Sequence, residues 1–301
     1  MEEQTGSGKL PDDIRHGAVH ILVADVERSL EVWRDLVGLN VLFREDGVLS
    51  LGAGDREMIV LQRGATMPSP EMALGLFHVA VHVPERVDFA RIANRLETSG
   101  KRYSGQDHMF SESLYFDDPD GNGIEIAFDT PERGRLEIID GNPVGVTNDG
   151  KNHSLLEPLD LAAVRAEMPD GVVAEGPIAA NSFIGHIHFR TNGLDTVFNF
   201  YSDVLGFRPN INSAAFKFCD LGTESRNHRI AFNMWGGEGL PERPKGASGV
   251  MHYTIEVPTI ATLNSVRARL NAAGVGLGED TQAAIECADP EGNNIRIVVA
   301  A

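Results

Sequence analysis

Along most of the chain, apolar and polar residues alternate in short runs, and the alternation gives way at intervals to longer segments with helical spacing. Residues 17–24 (GAVHILVA), 40–44, 48–51 and 57–61 follow the period of two expected of strands. Residues 26–37 (VERSLEVWRDLV) instead bring apolar positions together at three and four, the mark of an amphipathic helix, and Gly38 is placed to stop it. This order of strand, helix and three strands then recurs. A second unit starts at 76–83 and closes at Phe128, a third fills 183–235 and a fourth 250–299. Residues 130–181, rich in Gly, Pro, Asp and Asn, predict only one short helix at 159–167. That stretch is too long for an ordinary loop and reads as the connector between two halves. The segment GGEGLPERPKGASG (236–249) reads as a linker.

The units are copies of one another. The stretch YFDDPDGNGIEIAF (115–128) predicts a strand, a tight turn on residues 118–123, and a strand carrying Glu125 between Ile124 and Ile126. Alternation sends the two isoleucines to one face and Glu125 to the other, toward solvent or a lined cavity. Its copy is DPEGNNIRI (289–297), in which Arg296 replaces Glu125 at an offset of 171. Residues 83–100 match 257–274 at 174, which lays His78 on His252, and residues 25–39 match 193–207 at 168. Four copies of a unit of about 50 residues follow. One such unit cannot cover its own curved sheet, whereas two together make a cup. The expected fold is therefore α+β, with four βαβββ modules pairing into two cupped, incomplete barrel-like sheets. Its parts are a flexible tail (1–13), an N-terminal half with modules 1 and 2 (14–130), a connector (131–181) and a C-terminal half with modules 3 and 4 (182–301).

Composition narrows the function classes. At 301 residues and 42% hydrophobic, the chain supports two compact domains of ordinary soluble type. A net charge of −18 would repel nucleic acid and anionic membrane surfaces. No apolar run is long enough to span a bilayer, and the start MEEQTGSGK has no apolar core of a signal peptide. The two cysteines, Cys219 and Cys287, have neither metal-knuckle nor disulfide-framework spacing, so a reducing cytoplasm is expected.

With HIHFRT (186–191), FYSDVLGF (200–207) and DPDGNGIE (118–125), the repeat resembles the vicinal oxygen chelate superfamily, which includes glyoxalases, bleomycin-resistance proteins and extradiol dioxygenases. The resemblance spans nearly the whole chain apart from the tail and the connector. Within that superfamily, LFHVAV, DHMFSESLYFDDPDGNGIE and FIGHIHF are most similar to bacterial catechol 2,3-dioxygenases. The resemblance implies metal ligands on the first and last strands of a module, facing into the cup. His78, His186 and His252 each stand seven residues before the helix-entry position of their module; in module 1 that place is Ala18, and His20 is off register by two. Only module 2 has an acid on its last strand. Pairing modules 2 and 3 unites His78, His186 and Glu125, and pairing 1 and 4 unites Ala18, His252 and Arg296; pairing 1 with 2 and 3 with 4 instead would separate His186 from Glu125. The first set suits Fe(II), and Mn(II) accepts the same donors.

Further roles follow from the same resemblance. His228, in RNHRIAF (226–232) and expected on the last strand of module 3, resembles the acid–base histidine of the extradiol enzymes. Tyr115, ten residues before Glu125, resembles the tyrosine that hydrogen-bonds the bound substrate. His108 is shared with the dioxygenase branch, either supporting a ligand or lining the pocket. His82 and His188 lie on the strand faces of His78 and His186 as neighbours filling the cup, and His16 and His153 fall in stretches expected to be poorly structured.

The expected activity is Fe(II)-dependent extradiol cleavage of a catechol-type aromatic diol with O2, in a protein of a superfamily that often forms homo-oligomers. Two other readings use the same fold. One is a glyoxalase-like lyase or isomerase built on modules 1 and 2, with His20, Glu57, His78 and Glu125 around Ni(II) or Zn(II). The other is a binding protein without catalysis, its cup lined by Trp33, Phe232 and Trp235. No motif specifies the substituents of the ring.

Overall fold

The computed structural model describes residues 8–139 and 142–300. Module 1 comprises β1 (Arg15–Val23), α1 (Val26–Leu30) running into a π-helical stretch (Glu31–Val37), β2 (Asn40–Glu45), β3 (Val48–Ala53) and β4 (Arg56–Arg63). Module 2 comprises β5 (Gly75–His82), α2 (Arg86–Ser99), β6 (Ser104–Asp107), β7 (Ser111–Asp117) and β8 (Gly123–Asp129). The connector forms β9 (Gly134–Ile139), β10 (Asn142–Thr147), β11 (Asn152–His153), β12 (Glu157–Pro158) and α3 (Leu161–Ala166). Module 3 comprises β13 (Phe183–Arg190), α4 (Leu194–Asn199) with its own π-helical stretch (Phe200–Leu205), β14 (Arg208–Ser213), β15 (Phe218–Gly222) and β16 (Ile230–Asn233). Module 4 comprises β17 (Gly249–Val257), α5 (Ile260–Ala272), β18 (Ala284–Ala288) and β19 (Asn294–Val299).

Modules 2 and 3 share a nine-stranded sheet in the order β12-β6-β7-β8-β5-β13-β16-β15-β14, and modules 4 and 1 share a seven-stranded sheet, β18-β19-β17-β1-β4-β3-β2. In each module the first strand runs parallel to the last, and the two first strands of a sheet pair antiparallel: β5 with β13, β1 with β17. The cup seams are thus made by first strands, the strands expected to carry ligands. Residues that alternate away from the cups, among them Val79, Val81, Ile124, Ile126 and Ile187, join one continuous apolar core with the helices.

The repeated turns explain why the last strands of modules 2 and 4 begin where they do. The Asp118 carboxylate accepts from Asp120 N, Asn122 N and Asn122 Nδ2 at 2.8, 2.9 and 2.9 Å. Asp289 does the same for Glu291 N, Asn293 N and Asn293 Nδ2 at 2.9, 2.8 and 2.9 Å. Each is an Asx-type turn that replaces backbone partners with one side chain.

Several expectations need correcting. The helices of modules 1 and 3 widen into π-helical turns rather than staying α-helical: both Gly38 N and Leu39 N donate to Trp33 O, and Gly206 N and Phe207 N to Tyr201 O. The widened turn seats Trp33 and Tyr201, matched in the repeat, at zero exposure. Gly38 and Gly206 end these turns at φ 98° and 94°, a left-handed conformation that glycine adopts without strain. Module 4 is βαββ: where a further strand was expected, the chain makes only an Asp280–Ile285 bridge and a few backbone bonds, because Gly276 and Gly278 interrupt any apolar alternation. The connector holds a three-stranded sheet of β9, β10 and β11, and β12 extends the edge of the nine-stranded sheet.

Residues 1–7 of the expected tail lie outside the described residues. Gly8–Asp13 pack instead of trailing: Leu10 is buried, Leu10 N donates to Gly206 O at 2.7 Å, and Lys9 Nζ donates to Ser202 O at 2.9 Å. His16 and His153 are buried strand residues, on β1 and β11, because their rings pack between elements where loops were expected. No helix among the described residues is long and apolar enough to cross a membrane.

Candidate metal centre

On the concave face of the nine-stranded sheet, Ala80 of β5 stands between Glu125 of β8 and His186 of β13. A methyl group at that central position leaves room for both neighbours to lean inward, and His78, two residues earlier on β5, shares the same face. The three side chains converge. His78 Nε2 is 2.9 Å from Glu125 Oε2, His186 Nε2 is 3.1 Å from the same oxygen, and the two nitrogens are 3.1 Å apart. Ligands about 2.1 Å from a metal and at right angles to one another would lie about 3.0 Å apart, whereas tetrahedral ligands would lie about 3.4 Å apart. The donor triangle therefore fits one face of an octahedron. Among the described residues it is the only group of three or more His, Cys, Asp or Glu side chains close enough to share an ion.

The ionisation states suit ligands. Burial works against a charge on Glu125, but His186 and His78 outweigh it and hold the carboxyl well below its ordinary range. Burial, with the nearby His228, pushes His186 well below its ordinary value, which keeps the imidazole neutral. Ser113 Oγ donates to Glu125 Oε1 at 2.6 Å, so the carboxylate turns Oε2 toward the histidines. The buried trio otherwise sets two imidazole nitrogens 3.1 Å apart around one carboxylate oxygen. A cation at the centre would satisfy all three donors at once.

His228 lies in the β15–β16 connection, two residues before β16, rather than on the strand: Arg229 N bonds Leu221 O and only Ile230 enters the ladder. Its ring centroid is 4.2 Å from that of His186, and Nδ1 lies 2.6 Å from Asp220 Oδ2. Burial alone would lower this imidazole, yet the hydrogen bond and charge of Asp220 raise it above its ordinary value. Tyr115 sits beside His78, ring centroids 5.5 Å apart, and its hydroxyl is 2.8 Å from His108 Nε2. His108 Nδ1 donates to Leu155 O at 2.6 Å, which leaves Nε2 to accept from Tyr115. Burial and the Glu125 charge push the Tyr115 phenol well above its ordinary value, so it stays protonated.

A wall of rings extends outward from the triangle. His188 and Phe77 lie 4.8 and 5.2 Å from His78, Phe218 and Trp235 continue the wall, and Trp235 is exposed at its end. Phe77 joins the wall through a bulge, since His188 pairs with His78 and Phe189 with Leu76.

The other proposed sets are not assembled. His20 and Glu57 belong to the seven-stranded sheet and do not join His78 and Glu125. His20 stacks on His252 with centroids 4.0 Å apart, and burial, then His252 and Arg296, push it down to about 4. Arg296 is engaged by Glu279 and Glu286 at 3.0 and 3.4 Å, and Glu57 accepts from Ser50 Oγ at 2.5 Å. Trp33 and Phe232 are core residues without exposure, which leaves Trp235 alone of the expected lining trio beside the cup. Sequence reasoning passed over Ser113, Asp220, Phe77 and Phe218. Asp220 had a usable signal, an acid set between Cys219 and Leu221 on a strand, the same signature that marked Glu125.

Comparison with known proteins gives the family of the chain. Residues 15–126 match the family model of the Glyoxalase/Bleomycin resistance protein/Dioxygenase superfamily. A catechol-2,3-dioxygenase of Bacillus subtilis (strain 168) is 31% identical over 282 residues, 93% of this chain and 95% of that protein. A biphenyl-2,3-diol 1,2-dioxygenase of Rhodococcus globerulus is 28% identical over 38% of this chain and 62% of its own length. Glyoxalase I from Zea mays shares the fold with a TM-score of 0.58 at 15% identity, over 96% of this chain and 93% of that one.

Proposed function

The chain belongs to the glyoxalase/bleomycin resistance protein/dioxygenase superfamily, and we propose that within it this protein is a non-haem Fe(II) enzyme that cleaves a catechol-type aromatic diol in the extradiol manner with O2. The single observation that carries the proposal is the nearly equilateral triangle of two imidazole nitrogens and one carboxylate oxygen, 2.9 to 3.1 Å on a side. His78, His186 and Glu125 would hold the metal, which supplies a charge that favours the deprotonated diol and free positions for both reactants; Mn(II) fits the same donors.

The surrounding residues supply the rest. His228, its Nδ1 tied to Asp220, is held at the edge of the triangle with a ring nitrogen left to take a proton from the substrate and return it. The Tyr115 hydroxyl donates a hydrogen bond to His108 Nε2, which leaves its oxygen to accept one from a substrate hydroxyl. The wall of Phe77, His188, Phe218 and Trp235 offers a flat apolar surface to an aromatic ring and excludes water from one side of it. Both cysteines are free and buried, which supports a reducing compartment such as the cytoplasm.

Oxygen uptake by protein reconstituted anaerobically with Fe(II), offered a panel of catechols while a yellow ring-fission product is followed, tests the proposal. Uptake with colour is expected. Stoichiometric bound metal with no uptake on any catechol would overturn it.

A further inference from the structure

Behind His186 the nine-stranded sheet contains a second bulge. Ile184 pairs with Val81 and His186 with Ala80, so Gly185 is the extra residue on β13. A Cβ on Gly185 would lie 2.0 Å from His82 Cδ2 and 2.2 Å from His82 Nε2, so the imidazole of His82 occupies the space that any other residue would fill. Placed there, His82 Nε2 comes within 3.3 Å of His186 Nδ1. His186 thus has one ring nitrogen on the donor triangle and the other on His82. On its far side His82 Nδ1 is buried without a well-aligned acceptor, and the carboxylate of the exposed residue Asp129 stands 2.9 Å away, at the end of the strand that carries Glu125.

We propose that Asp129 and His82 form a positioning chain that fixes the tautomer and ring orientation of His186 as a metal ligand. A coordinating imidazole must be neutral, with its proton on the nitrogen that does not bind the metal. His186 then carries that proton on Nδ1 and donates it to His82 Nε2. His82 can accept only if its own proton is on Nδ1, and the Asp129 carboxylate favours that tautomer. Phe183 packs on the His82 ring at 5.4 Å between centroids, and Arg226 stacks on Phe183 at 4.7 Å, which holds the ring in place. In the seven-stranded sheet the repeat preserves the backbone device without the chemistry. Gly17 matches Gly185, and a Cβ there would lie 3.0 Å from the Glu256 side chain, which matches His82. The residue in register with His186 in that sheet is Ala18, so the facing side chain has no ligand to orient.

The inference rests on His186 being a ligand, and the test separates the two. Co(II) affinity is measured anaerobically by chelator competition, together with the visible spectrum of the Co(II) protein, for the wild type and for His82→Phe, His82→Gln and Asp129→Asn. His82→Phe keeps the volume and loses the acceptor, and is expected to weaken Co(II) binding about 10- to 100-fold and to shift the visible bands. His82→Gln supplies an amide oxygen near the position of Nε2 and should stay within about threefold of wild type, and Asp129→Asn should fall between the two. Wild-type affinity and spectrum in His82→Phe would overturn the proposal. Equal losses in His82→Phe and His82→Gln would overturn it too, since packing alone would then account for the effect. A wild-type protein that binds no Co(II) would instead overturn the metal reading itself.

Discussion

The two cups are built from the same module and differ in what their seams present. In the nine-stranded sheet the matched positions hold His78, His186, Glu125 and Tyr115; in the seven-stranded sheet they hold His252, Ala18, Arg296 and Glu286. One substitution inverts the charge at the centre and another removes a ligand. His20, two residues along from Ala18, does not restore the triangle; it lies flat on His252. The backbone devices survive in both cups: antiparallel first strands, an Asx turn before the last strand, and a glycine under the facing side chain. The fold therefore positions four places, and the side chains at those places decide whether there is any chemistry.

The contrast can be broken most severely at its centre. Glu125→Ala should abolish turnover, by at least about 1,000-fold, because it takes away a ligand and the negative charge that balances the metal; Arg296→Ala, its counterpart, should leave turnover unchanged, as steady-state oxygen uptake would reveal. Next comes the proton-transfer position. His228→Ala should lower kcat by about 100- to 10,000-fold while bound metal stays stoichiometric; Glu57→Ala, which falls on the place of His228 when Ile59, the partner of Val19, is laid on Ile230, the partner of Ile187, should leave kcat alone. A smaller effect sharpens the link between the cups. His16 on β1 donates through Nε2 to Arg229 O of module 3 at 2.9 Å, and burial, then Arg229, push it down to about 3. A depressed imidazole contributes stability that is present above its unfolded value near 6.5 and lost as pH falls toward 3, because the unfolded chain then binds the extra proton. Roughly 3–5 kcal/mol should disappear across that window, and urea melts of wild type against His16→Gln would isolate it. Smallest is Ser113→Ala, which frees Glu125 Oε1 and should weaken metal binding by no more than about tenfold in chelator competition.

Much of this arrangement was legible in the sequence because it repeats. Offsets of 168 to 174 residues expose the modules, and seven-residue spacing from strand to helix entry separates His78 and His186 from His20. Local periodicity could not show what depends on contacts distant in sequence. Strands β9 to β12 escaped notice because the connector is full of turn residues, yet its Leu155 carbonyl is what orients His108 and, through it, Tyr115. The bulges at Phe77 and Gly185 are relations between two strands and leave no mark in either one, so His82 read as a filler of the cup. Aromatic residues at strand spacing look alike whether they face core or cup, which is why Trp33 and Phe232 were expected beside Trp235.

Metal stoichiometry tests the central claim most directly. Anaerobic titration with Co(II) should find one tight site per chain in the wild type and in Arg296→Ala, and none in Glu125→Ala. A tight site that persists in Glu125→Ala, or one that vanishes in Arg296→Ala, would contradict the assignment of the metal to the nine-stranded cup.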